Sequence, residues 1–142
     1  MIRKALEVIN KNEAARTCTS LIETSVPDLV VAFQRLCECV YPQIEGAKFL
    51  KRNVFQRLDD GNKLWHDLVG KGYDDWITDV QYAKLRKCFQ QRHLLQHQDG
   101  IVDHDYISKS GDVSYQVGQH LIIKPEDITE YAGIVEALGK QV

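Results

Sequence analysis

Several familiar chemical signatures are missing from this chain. It contains no Gly-x-Ser-x-Gly elbow and no glycine-rich phosphate loop, which sets aside the usual serine hydrolases and loop-based nucleotide enzymes. It also lacks an excess of basic charge. The net charge is −2 with histidine neutral, so no global positive field gathers nucleic acid. Any binding of RNA must come from a local patch or from the assembly of two chains. Internal repeats, low-complexity tracts and interdomain linkers are absent too, so residues 1–142 are expected to form a single domain. Cysteine is sparse: four occur, Cys18, Cys37, Cys39 and Cys88, with no secretory signal before them. The segment Met1–Lys11 is amphipathic and too charged for a signal peptide or a membrane span. A reduced, cytoplasmic setting away from membranes is therefore expected. The Cys37-x-Cys39 spacing is narrower than most zinc sites use, and all four cysteines are expected to be core or half-buried.

What is present is an ordinary globular composition, 44% hydrophobic and 27% charged. Apolar positions recur at helical spacing over most of the length. Ile2, Ala5, Leu6 and Ile9 mark one helix, and Ala15, Cys18, Leu21 and Ile22 a second that could continue the first. Pro27 and Asp28 suit a fresh helix start, followed by Leu29, Val30, Phe33, Leu36, Cys37 and Val40 on one face. A further helix is expected from Val54 through Phe55, Leu58, Leu64, Trp65 and Leu68, weakened by Gly61 and stopped at Gly70-Lys71-Gly72. Thr78-x-x-Gln81 has the form of a capping box. It opens a long helix on Val80, Tyr82, Leu85, Cys88, Phe89 and Leu95 that ends near Gly100. Alternation at Val113, Tyr115 and Val117, then Gly118-Gln119 and Leu121-Ile122-Ile123, predicts a small β-hairpin over about 113–123. Pro125 begins a last helix on Ile128, Tyr131, Ala132, Val135 and Leu138. The expected fold class is all-α, a helical bundle with one appended β-hairpin. Trp65, Trp76, Tyr82 and Phe89 are read as core rather than as a base-stacking platform.

The chemistry concentrates in Arg92-His93-Leu94-Leu95-Gln96-His97 at the end of the long helix. Arginine offers a permanently charged planar fork for phosphate oxygens, and histidine moves protons near neutral pH. Five residues separate Arg92 from His97, which leaves them about 140° apart on an ideal helix. Both reach one phosphate only if the helix ends or tightens near His97, or if a second copy completes the site. His93 and His97 lie one turn apart and share a face. Two ordinary explanations compete: Arg92 paired with a carboxylate, and His97 capping carbonyls at the helix end. A metal reading pairs His93 and His97 with Asp99, Asp103 or His104, but Leu94 stands where a zinc hydrolase needs glutamate. Asp103-His104-Asp105 is read as a solvated turn. Lys84, Arg86 and Lys87 form a short basic stripe beside the motif, equally consistent with a solvated helix face.

The run Arg92–Asp103, with Tyr106-Ile107 after it, resembles the signature region of HEPN domains: Arg, a polar residue, three variable residues, then His. Arg52-Asn53-Val54-Phe55-Gln56-Arg57-Leu58 is similar to a segment of some prokaryotic branches of that superfamily. The resemblance covers roughly residues 50–125. Members of the branch often carry Asn after the motif His and a second Gly before the hydrophobic pair, where this chain has Gln98 and Asp99. The resemblance implies a metal-independent endoribonuclease that acts as a homodimer and needs no cofactor. Arg92 and His97 would be catalytic, with His93 in the polar place. Lys84, Arg86, Lys87 and Gln96 are the candidate RNA-binding residues. It also implies a toxin or defence setting with a cognate antitoxin or inhibitor as partner. The alternative is a non-catalytic module of the same fold that binds RNA, a nucleotide or a protein.

Overall fold

The computed structural model describes the backbone from Ile2 to Val142 and the side chains from Lys11 onward. The expected face of Ile2, Ala5, Leu6 and Ile9 therefore lies outside the described side chains. Among the described residues six α-helices follow one another, and the first is by far the longest: α1 spans Ile2–Val40 without interruption. Pro27 sits inside it rather than starting a new helix. An internal proline costs about 3 kcal/mol. Here the helix carries on because Val26, Val30, Phe33, Cys37 and then Tyr41 form one buried stripe across that point. Interrupting the helix at residue 26 would turn part of this stripe away from the core. Thr24 and Ser25 hydroxyls donate to carbonyls one turn back, at Ser20 and Leu21, just before the proline.

After a 3₁₀ turn at Tyr41–Gln43 and a second at Val54–Gln56, α2 runs Leu58–Val69. Gly70, with φ 79°, closes it, its N–H reaching the His66 carbonyl at 3.0 Å. Gly61 turns out to be a requirement of packing rather than a weak spot. A Cβ there would meet Tyr73 Oη at 2.8 Å and Phe55 Cδ1 at 3.1 Å. Gly61→Ala should gain up to about 1 kcal/mol of helix propensity yet lose about 1–3 kcal/mol to overpacking. Urea denaturation should show a net loss, and a stabilised variant would refute this close packing.

The short α3 (Tyr73–Trp76) leads to α4 (Asp79–His97), which opens on the expected capping box. Thr78 Oγ1 accepts from Gln81 N at 3.1 Å, and Thr78 N donates to Gln81 Oε1 at 3.0 Å. α5 (His104–Ser110) replaces the expected solvated turn, because Asp103 caps it by accepting from Tyr106 N at 2.8 Å. α6 (Pro125–Gln141) starts where proline predicted. α1 packs on α4 and α6, and α4 also holds α5.

Edge-on aromatic rings fill the centre. Phe33 meets Tyr73 at 5.3 Å, and Tyr41 meets Trp65 at 5.3 Å, between ring centroids. Trp65, Phe89 and Leu85 are buried as expected, and Trp76 is half-buried against Trp65. Val80 is not; it is 65% exposed, because it lies in the first turn of α4 before that helix reaches the core. Leu29, Leu36, Leu95, Ile128 and Val135 are only partly covered. In α6 the buried stripe is Tyr131, Ile134 and Leu138. Cys37 and Cys88 are buried, whereas Cys18 and Cys39 are exposed, against expectation, and all four are free thiols. Burial pushes the Cys37 thiol up to about 11 and Cys88 to about 12, which keeps both protonated and inert.

The expected hairpin over 113–123 does not form. Residues 118–121 pair instead with 100–102: Gly118 N donates to Val102 O at 2.8 Å, Val102 N to Gln119 O at 2.9 Å, and Leu121 N to Gly100 O at 2.8 Å. Val113 is left 92% exposed, since no sheet face exists for its alternating partners to share. Two strands without a third layer are marginal, and a single isolated bridge, Ile101 with His120, is what remains.

Candidate functional site

The motif helix is fixed from behind by a buried polar chain. Tyr131 Oη donates to Gln91 Oε1 at 2.9 Å, Gln91 Nε2 approaches Tyr106 Oη at 3.4 Å, and Tyr106 Oη donates to Asp112 Oδ2 at 2.7 Å. Burial holds both tyrosines far above their ordinary range, so they act only as neutral donors and acceptors. Asp112 also accepts from Ser114 N and Oγ, and Lys87 Nζ lies 3.7 Å away. Burial works against its charge, but Ser114, Tyr106 and Lys87 outweigh that and leave its pKa lowered. Gln91 thus ties α4 to α5, α6 and the following loop. The adjacent residue, Arg92, faces the other way.

Arg92 lines a cleft of about 550 Å³ between α4, the start of α2 and α5. Its lining also includes Arg57, Asp59, Asp60, Arg86, His93 and Lys109. The volume lies within the roughly 300–1,000 Å³ of small-ligand sites. Arg92 is only 8% exposed. Its Nη1 donates to Gln96 Oε1 at 2.7 Å, and its Nε is buried without a partner. Among the described residues no carboxylate pairs with it, so the first ordinary explanation fails. Burial lowers its pKa, the sign of a charge held where charge is costly.

Two of the other basic residues are committed elsewhere. Lys84 pairs with Glu130, and Lys87 with Asp112. These two candidates for RNA contact are structural ties, not lining residues. Arg86 does line the cleft, stacked 5.0 Å over the Tyr82 ring and 3.6 Å from Asp59. Arg57 bonds Asp60 at 2.7 Å. Lys109 has no ion-pair partner among the described residues. Lys109 escaped sequence reasoning because it lies in α5, which was not expected. Arg57 stood in the quoted upstream segment without an assigned role.

α4 stays α-helical to His97, so Arg92 and His97 do not share a face. His93 is in the cleft lining and His97 is not. Their rings nonetheless sit 4.8 Å apart between centroids. Partial burial lowers the His93 pKa, helped by His97, Arg92 and Lys109 and opposed by Asp103, which favours the neutral imidazole. Beyond His97 the chain reverses through Asp99 (φ 51°) and Gly100 (φ 76°), and Gly100 N reaches Leu94 O at 3.0 Å. The alternative metal ligands Asp99, Asp103 and His104 do not gather on the histidine pair. Among the described residues the one grouping of three ligating side chains is His66, Asp74 and Asp75. There Asp74 bonds His66 Nε2 at 2.6 Å, which raises the histidine pKa and lowers the aspartate's. Among the described residues no helix is long and apolar enough to cross a membrane.

No protein-family model matches the chain, and no curated protein or solved structure is significantly similar to it.

Proposed function

We propose that this chain is a metal-independent endoribonuclease of the HEPN type that works as a homodimer. The observation that carries the reading is Arg92, a nearly buried guanidinium with an orphaned Nε and no acidic partner, on a cleft. A buried cation left uncompensated costs several kcal/mol, so an anion is the ligand such a group favours. Neutral His93 beside it and His97 stacked one turn on supply proton-transfer groups. Asp99 also supports the reading, since it adopts a left-handed backbone where the resembled branch often carries glycine.

His97 lies outside the cleft lining of its own chain, so its part in catalysis requires a two-fold pairing along the end of α4 that brings it to the partner's cleft. His97 would take the proton from a ribose 2′-hydroxyl, whose oxygen then attacks the adjacent phosphorus. Arg92 would stabilise charge on the nonbridging oxygens. The P–O5′ bond breaks, and the imidazolium returns its proton to the departing oxygen. The products are a cyclic phosphate and a free 5′-hydroxyl. Incubating mixed RNA with the protein in EDTA tests this: cleavage should persist, leave cyclic-phosphate ends and spare DNA, which lacks the attacking hydroxyl. The position of His97 also favours a second reading, a module that binds RNA without cutting it. A strict monomer that retains RNA intact would establish that reading instead.

A further inference from the structure

The cleft has a second wall with anion-binding character, independent of the motif. Its lining takes in Leu58, Asp59 and Asp60, the first turn of the twelve-residue α2. The N-cap position of that helix is Arg57, and no side chain caps the turn's free amides. Uncapped amides at a helix start carry partial positive charge and favour a phosphate or carboxylate. The same lining holds Arg92, more than nine-tenths buried, and the exposed Lys109, with no ion-pair partner among the described residues.

We infer that the cleft is a phosphate site complete within one chain, in which a phosphoryl group docks between the uncapped first turn of α2 and Arg92, with Lys109 as its outer ligand. Carboxylates already stand near this place, and the structure shows how they are held: Asp59 by the Tyr82 hydroxyl at 3.0 Å and Arg86 at 3.6 Å, Asp60 by Arg57 at 2.7 Å. Each is neutralised by its own arginine. The unpaired charges are those of Arg92 and Lys109, and they are positive. If the ribonuclease reading holds, on which the next statement rests, the phosphate bound here is the scissile one. Lys109 and α2 then share its charge with Arg92.

The test uses the full chain and inorganic phosphate, followed by phosphorus NMR line broadening and by the ring-proton shifts of His93. Saturable binding that weakens about tenfold in Lys109→Met, the loss of one charge-assisted hydrogen bond, and also weakens in Arg92→Gln, is the expected result. Lys71→Met, the same charge change remote from the cleft lining, should bind as wild type. Because Lys109 is exposed, its variant stays folded even if Arg92→Gln does not. A second arm uses a 2′-O-methyl oligonucleotide, which cannot be cut: its affinity should fall in the same variants. Phosphate bound as described while unmodified RNA stays intact would sink the ribonuclease reading and keep the site. No saturable phosphate binding, or binding indifferent to Lys109 and Arg92, would overturn the site even if RNA were cleaved.

Discussion

Replacing His97 with alanine should slow RNA cleavage by about 10²–10⁴-fold, the usual loss when one general acid–base group is removed. His97 is exposed, so the melting temperature should hardly move. Arg92→Ala should lose activity on the same scale, through charge stabilisation rather than proton transfer. His93→Ala should fall between the variants and the wild type, since its ring lines the cleft and stacks on His97. The same His97→Ala protein carries a spectroscopic signature. His93 then loses the influence of His97 that helps to lower its pKa, so that pKa should rise. Burial, Arg92 and Lys109 continue to hold it down, while Asp103 continues to raise it. A proton NMR titration of the imidazole reads this directly. Full activity in His97→Ala would remove the proposed base, and loss of activity on chelation would return attention to a metal at the histidine pair.

Asp112→Ala should destabilise the fold by about 3 kcal/mol, as expected when a buried charged group is taken from its partners. Tm should fall by roughly 10 °C for a chain of this size. Three donors lose their acceptor at once: Tyr106 Oη, Ser114 N and Ser114 Oγ. Asp112→Asn keeps an acceptor and should cost about 1–2 kcal/mol. The pH dependence has a definite sign. The folded carboxyl has a lowered pKa. Its contribution is therefore complete above the unfolded value of about 3.9 and disappears as pH falls through the lower folded value. Urea titrations of wild type and Asp112→Ala should accordingly differ most at neutral pH and converge in strong acid. A gap that does not narrow would mean that the aspartate acts through shape alone.

Apart from the Asp103 cap of α5, elements fixed by neighbours in sequence were legible, and those fixed at a distance were not. The Thr78–Gln81 box closes on itself within four residues, and Pro125 and Gly70 act on their own backbone, so all three read correctly. The stretch 113–123 alternates like a strand, but its hydrogen-bonding partner is residues 100–102, which no local pattern names. Pro27 misled for the same reason: a buried stripe from Val26 to Tyr41 outweighed a local preference. At the site, Arg92 and His93 were legible as residue types at a helix end. Lys84 and Lys87 were equally basic on paper, and only Glu130 and Asp112, 46 and 25 positions away, show them to be spoken for. Lys109 joins the cleft through α5, whose existence depends on the Asp103 cap.

Helix α1 has one more consequence, for motion in solution. At 1.5 Å per residue its 39 residues extend about 58 Å, while a compact chain of 142 residues has a radius of gyration of only about 14–15 Å. Side chains from Lys11 to Leu21 are exposed throughout, so that part of the rod stands clear of the bundle. Rotational diffusion of a single chain must then be anisotropic. Amide N–H bonds in α1 lie nearly parallel to the long axis and sense only its slow end-over-end tumbling, so N–H bonds inclined to that axis will relax at visibly different rates.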